Sequence, residues 1–161
     1  MTIPGLRIAV FADVQNIYYT TRETYGRQFN YRKLMQRISE QGEIVRANAY
    51  AIARDDDKQR QFQDALRHIG FNVKLKPYIQ RSDGSAKGDW DVGITIDIME
   101  TAKDVDIIVL LSGDGDFAIL LEKIKKDYGV STEVYGVPTL TANSLIHAAS
   151  VFRPIAEDLL L

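Results

Sequence analysis

The chain has 161 residues, 45% hydrophobic and 26% charged, with 20 basic against 22 acidic side chains. That is enough chain for one domain with one core, and the near-neutral balance excludes coating of nucleic acid by bulk charge while leaving room for a local basic patch. Cysteine is absent and His68 and His147 are the only histidines, which excludes disulfides, zinc–thiolate sites, iron–sulfur clusters and cysteine nucleophiles.

In chain order, the apolar run over 6–12 predicts a buried strand that ends at Asp13. Tyr31, Leu34, Met35 and Ile38 fall at i, i+3, i+4, i+7 and predict a helix, with Asn30 as its N-cap and Gly42 past its end. A second strand is expected over 44–53. Phe62, Ala65, Leu66 and Ile69 repeat the helical spacing, with Asp55 or Asp56 as cap and Gly70 as stop. Residues 71–79 alternate as a third strand, and 80–88 reads as a loop. Val92, Ile96 and Met99 define a helix starting near Asp91, itself a good N-cap; Gly93 would leave room beside Asp97. A fourth strand over 106–111 is apolar at nearly every position. Phe117, Leu120, Leu121 and Ile124 predict a helix that ends at Gly129, with Asp116 as its cap. A fifth strand over 130–137, a short helix over 141–149, a last short strand at Val151–Pro154 and a small terminal helix complete the chain.

Regular alternation of strand and helix implies a parallel sheet with helices on both faces. The fourth strand supports this, because a strand apolar on every residue needs cover on both sides. One domain over 1–161 is expected. The longest uninterrupted apolar run, 107–111, is far short of the roughly 20 residues of a membrane helix. Five apolar residues followed by Asp13 do not make a signal-peptide core, so the expected location is the cytoplasm.

Ligands of an open parallel sheet bind beyond the carboxyl ends of its strands. Asp13 follows the first strand, Asp114 and Asp116 follow the fourth, and Asp91 opens the helix before the fourth, with Asp97 further along it. If strands one and four are neighbours, these carboxylates converge. Each has a simpler reading as a turn or cap residue; the joint placement is what carries weight. So many like charges need a counter-ion, and a hard divalent cation such as Mg²⁺ suits an all-oxygen donor set. A pair of such ions clamps an in-line displacement at phosphorus, so the constellation points to metal-dependent phosphodiester hydrolysis. Asn16 reads either as a first-turn polar residue or as one that holds a water or orients Asp13, and Ser112 either as a cap-like turn residue or as a phosphate and metal contact. Over 54–87 there are eight Lys or Arg against five Asp, +3, while the rest of the chain is −5. Either a phosphate groove or a solvated face accounts for this. Trp90 and Tyr78 flank the 80–88 loop; either stacking on unpaired bases or packing in the core or loop accounts for them. A haloacid-dehalogenase phosphatase would need an aspartate where Gln15 stands, and the Gly-x-Gly-x-x-Gly turn of a dinucleotide site is absent.

Three stretches together resemble NYN domains of the PIN-like nuclease superfamily, and the LabA-like group in particular. They are Phe11-Ala12-Asp13-Val14-Gln15-Asn16, Lys87-Gly88-Asp89-Trp90-Asp91 with Asp97 six residues on, and Ser112-Gly113-Asp114-Gly115-Asp116-Phe117. The resemblance implies a three-layer α/β/α sandwich around a parallel sheet of order 3-2-1-4-5. It implies a metal-dependent endoribonuclease using Mg²⁺ or Mn²⁺, acting on RNA. By position, Asp13, Asp91, Asp114 and Asp116 match its acidic metal and catalytic residues, and Asn16, Asp97 and Ser112 its supporting polar residues. Lys87, Arg81 and Trp90 would hold the substrate strand. The alternative is a catalytically silent module, regulatory, RNA-binding or protein-binding, that keeps the acidic pocket. Homodimerisation is left open.

Overall fold

The structure, a computed structural model, describes residues 5–53, 56–77, 79–80, 86–87 and 89–161. The elements are β1 (Arg7–Asp13), α1 (Val14–Tyr25), α2 (Tyr31–Ser39), β2 (Glu43–Ala53), α3 (Asp57–Ile69), β3 (Asn72–Pro77), β4 (Ile79–Gln80), β5 (Ala86–Lys87), α4 (Asp91–Ala102), β6 (Ile107–Leu111), α5 (Ala118–Tyr128), β7 (Ser131–Gly136), α6 (Asn143–Ala148) and β8 (Val151–Pro154). Six strands form one wholly parallel sheet in the order β3-β2-β1-β6-β7-β8. This is the expected 3-2-1-4-5 order with a sixth strand added at the edge: Val151–Pro154 pairs with β7. A two-stranded antiparallel piece, β4 with β5, stands apart from the main sheet. It takes the end of the expected third strand, which stops at Pro77, and the end of the expected 80–88 loop.

Alternation of side chains along the central strands feeds two cores. Ile8, Val10 and Ala12 of β1 with Val109 and Leu111 of β6 face α1, α2 and α3. Ala9 and Phe11 with Ile108 and Leu110 face α4, α5 and α6. Every one of these strand residues is at most 2% exposed, and each buried Leu or Ile stabilises the fold by about 1.5–3 kcal/mol. The α/β/α layering follows from that double burial.

The caps work largely as the sequence indicates. Asn30 Oδ1 accepts the Lys33 N–H at 3.0 Å, and Asp56 Oδ1 accepts the Gln59 N–H at 3.1 Å. Gly129 ends α5 in the left-handed region at φ 66°, where a side chain would be strained. Three features differ. Helix α1 is not signalled: its buried positions are only Val14, Ile17 and Thr21, and Tyr18 and Tyr19 lie exposed. Asp116 is not the cap of α5. Asp114 accepts the Asp116 N–H at 2.9 Å and opens a 3₁₀ turn, Gly115–Phe117, that leads into the helix. On α4, Trp90 takes the cap position and Asp91 is the first helical residue. Its Val92, Ile96 and Met99 stripe faces solvent, while Ile94, Ile98 and Ala102 face the core.

Gly93 makes room for Trp90 rather than for Asp97. A Cβ on it would sit 2.6 Å from Trp90 Cε3. The indole N–H donates to the Ala51 carbonyl at 2.9 Å, and the ring packs 5.3 Å from that of Tyr50. Trp90 therefore pins the start of α4 to β2. It is also the sole tryptophan, so fluorescence reports this contact alone. Gly93→Ala should gain about 1 kcal/mol of helix propensity and lose about 1–3 kcal/mol to overpacking. The expected result is a shifted emission maximum in a folded protein of equal or lower stability in urea; unchanged emission would refute the contact.

Candidate metal centre

The pairing of β1 with β6 builds the centre. Ala12 lies opposite Leu111, so the next residues, Asp13 and Ser112, leave their strands side by side. Ser112 Oγ donates to Asp13 Oδ2 at 3.0 Å and accepts the Asp114 N–H at 3.1 Å. Asn16, on the first turn of α1, accepts the Gly113 N–H on its Oδ1 at 2.9 Å. Two side chains thus staple the β1–α1 junction to the loop after β6. The loop is seated from below as well. A Cβ on Gly113 would lie 2.6 Å from the Leu140 carbonyl oxygen, and one on Gly115 would lie 2.8 Å from Ala142 Cβ.

Asp91, Asp114 and Asp116 each bring a carboxylate oxygen within 4.8 Å of the others. Among the described residues no lysine or arginine forms an ion pair with Asp13, Asp91, Asp114 or Asp116. The electrostatics follow from that imbalance. Burial pushes Asp13 up to about 6, assisted by the charges of Asp114 and Asp89 and opposed by the hydrogen bonds from Ser112 and Asn16. Burial, the charge of Asp114 and a shared hydrogen bond with it push Asp91 up to about 7. Asp89, which the sequence reading passed over, adds negative potential at both. Its Oδ1 accepts the Asp91 N–H at 3.2 Å, and its position two residues before Asp91 was the available signal. Oxygen-only donors, converging and without an ion pair among the described residues, fit a hard divalent ion such as Mg²⁺ or Mn²⁺.

Asp97 stands elsewhere. Six residues along α4 carry it about 120° around the helix from Asp91. Its Oδ2 accepts from Lys74 Nζ and from Tyr50 Oη, both at 2.7 Å, and Arg46 lies 3.8 Å from Oδ1. Burial pushes this carboxyl up, but those hydrogen bonds and charges outweigh it and leave it below its ordinary value. It locks α4 to β2 and β3. Trp90 is likewise engaged, with Lys76 Nζ 4.6 Å from the ring centre. Of the basic residues over 54–87, Arg60 pairs with Asp57, Arg67 with Asp64 and Lys74 with Asp97, so much of that charge is neutralised in place. Lys87 falls in β5. Arg54, Asp55, Tyr78 and Arg81 lie outside the described residues.

The pH dependence has a definite sign. A carboxyl raised on folding makes the native state bind more protons than the unfolded chain, so stability falls as pH rises from about 4 to about 7 and then levels. In EDTA at pH 8, Asp91→Asn should be more stable than the wild type by about 1–2 kcal/mol after solvent screening, and the gain should vanish near pH 4. Mg²⁺ should raise the wild-type melting temperature at pH 8 and much less at pH 5, where it must displace protons. A pH-independent difference in calorimetry would contradict this picture. Asp97→Asn should instead cost about 1–3 kcal/mol in urea titration and leave Mn²⁺ affinity, read by paramagnetic resonance, unchanged.

Comparison with known proteins agrees with this geometry. Residues 7–156 match the NYN domain family. The low amplitude and bright protein LabA of Synechococcus elongatus is 34% identical over 127 residues, covering 74% of this chain and 68% of LabA. A crystal structure of a Vibrio parahaemolyticus protein of unknown function superposes with a TM-score of 0.92 at 54% identity, covering 97% of this chain and 96% of that one. A carbohydrate kinase from Agrobacterium tumefaciens, at 11% identity and a TM-score of 0.50 over 91% of this chain and 60% of its own, shares the layered fold alone. Among the described residues no helix is long and apolar enough to cross a membrane. The chain belongs to the NYN domain family, within the PIN-like nuclease superfamily.

Proposed function

We propose that this chain is a metal-dependent endoribonuclease that hydrolyses RNA phosphodiester bonds at the acidic centre, with Asp13, Asp91, Asp114 and Asp116 holding Mg²⁺ or Mn²⁺. The observation that carries this reading is the convergence of Asp91, Asp114 and Asp116 within 4.8 Å, with no ion pair to any of them among the described residues. Family membership supplies the RNA-related, nuclease-like context. A divalent ion bound there supplies neutralisation of the phosphate and an acidified water at neutral pH.

The protein's own part is arrangement and proton handling. Ser112 fixes one oxygen of Asp13, so the other is free to turn toward the cluster, where it receives only a 3.5 Å contact from the Asn16 N–H. With Asp91 near 7 and Asp13 near 6, both carboxyls exchange protons in the physiological range, and loading a cation releases those protons. Asn16 spends its Oδ1 on Gly113; its Nδ2 has no partner among the described residues and is available as a donor to a phosphate oxygen. Lys87 and Arg81 are assigned to the phosphates of the strand on charge and chain position. Trp90 serves chiefly by anchoring α4 and hence Asp91.

The test is cleavage of single-stranded RNA, structured RNA and DNA with Mg²⁺, Mn²⁺ or EDTA. Wild-type protein should cut RNA only with metal and leave 5′-phosphate ends. Asp114→Asn should lose about a hundredfold or more with its fold intact by circular dichroism. Equal cleavage by Asp114→Asn would sink the assignment. Saturable Mn²⁺ binding without cleavage of any nucleic acid would instead make the chain a catalytically silent RNA-binding or protein-binding module with a working metal pocket.

A further inference from the structure

A second polar cavity lies on the α1–α2–α3 face, and none of its walls belongs to the acidic centre. Its volume is about 290 Å³, and it is lined by Arg37, Gln41, Tyr135, Arg153 and Pro154. Arg37 comes from the last turn of α2 and Gln41 from the turn before β2. Tyr135 comes from β7, and Arg153 lies directly opposite it on β8. The cavity is therefore walled by α2 and the turn after it on one side and by β7 and β8 on the other, at the β8 edge of the sheet.

One feature of the wall is anomalous. Tyr135 is 1% exposed, and its hydroxyl is the single buried side-chain polar atom without a hydrogen-bond partner among the described residues. Leaving such a group unsatisfied destabilises the fold, and buried hydroxyls are seldom left so. A benzyl side chain would fill the same space without that cost. The charged groups nearest the hydroxyl are the Glu133 carboxylate and the guanidinium groups of Arg153 and Arg37. Arg37 donates from Nη2 to Asp158 at 2.8 Å, which leaves Nε and Nη1. Arg153 donates from Nε to Glu133 at 3.0 Å, which leaves both Nη groups. The Gln41 side chain has no partner among the described residues. Each arginine is held in place by its own carboxylate, so the remaining guanidinium N–H groups are presented in fixed directions.

We propose that this cavity binds the phosphate group of a small phosphomonoester, held by Arg37 and Arg153 with Tyr135 Oη as a third donor. Arg37 reaches in from α2 and Tyr135 and Arg153 from the paired strands β7 and β8, so three donors border one void, a number that suits the oxygens of a phosphate. The volume, at the low end for ligand pockets, suits a small molecule and not a polymer chain. The site stands independently of the nuclease reading. It is nonetheless one strand away from the acidic centre: the Tyr135 carbonyl accepts the Ser112 N–H at 3.2 Å.

The experiment is titration of the full chain in EDTA, which removes metal-mediated phosphate binding at the acidic centre. The probes are inorganic phosphate, adenosine 5′-monophosphate, adenosine and a 5′-phosphorylated RNA oligonucleotide, read by calorimetry and ³¹P resonance. The monophosphate should bind saturably at one site, and adenosine should not. Tyr135→Phe should weaken binding about tenfold at unchanged or higher thermal stability. Arg37→Gln with Arg153→Gln should abolish binding; should that variant misfold, Tyr135→Phe still decides. Phosphate alone binding as tightly as the nucleotide supports the site and makes free phosphate the ligand, whereas tighter nucleotide binding supports it and makes a nucleotide the ligand. No saturable binding up to about 10 mM, equal binding of adenosine, equal binding by Tyr135→Phe, or binding of the oligonucleotide alone would each overturn the proposal.

Discussion

Everything around the acidic centre depends on crowding charges of one sign at the carboxyl end of the sheet. Asp13 sits 8% exposed at the end of a central strand, and Asp91 and Asp114 are close enough to share a hydrogen bond. Such a cluster is unfavourable by itself. It persists because the surrounding sheet and two helical layers over-determine where each carboxylate stands. The protein stores electrostatic strain at one spot and supports it with two hydrocarbon cores of buried Ile, Leu, Val and Phe.

The polar stitching is economical. Ser112 touches both Asp13 and the Asp114 backbone, and Asn16 reaches from α1 to Gly113. These bonds join segments nearly a hundred residues apart in sequence. Further along α4, Asp97 gathers Lys74, Arg46 and Tyr50 into one charged knot. The two acidic groups of α4 therefore have opposite characters. Asp97 is balanced by cations and structural; Asp91 is unbalanced and receptive.

Much of this was legible in the residues, because burial on both faces writes a near-continuous apolar run into each central strand. The strand ends at Asp13 and Ser112 follow directly from those runs. Helix α1 was not legible, since its N-cap, Asp13, is also the last residue of β1 and its tyrosines are exposed. The Val92, Ile96 and Met99 stripe on α4 signals a helix but not which side packs; the Ile94 and Ile98 side does. Asp97 carries the same residue type as Asp91, and only the contact with Lys74 of β3 separates their roles. Nor could any periodicity single out Tyr135, whose hydroxyl is unusual only for what does not surround it.

The segment over 138–142 passes so close beneath the loop after β6 that main chain meets main chain. A Cβ at Gly113 would stand 2.6 Å from the Leu140 carbonyl oxygen and 3.2 Å from Thr141 Cα, and the Ala142 N–H donates to the Gly113 carbonyl at 3.0 Å. Thr141 is itself tied back to the Val137 carbonyl at 2.7 Å. Contact at this level has no side-chain rotamers to absorb an error. A displacement of the segment, even by the radius of a methyl group, is passed undamped to the backbone that carries Asp114 and Asp116, so the mouth of the cleft is dimensioned from underneath.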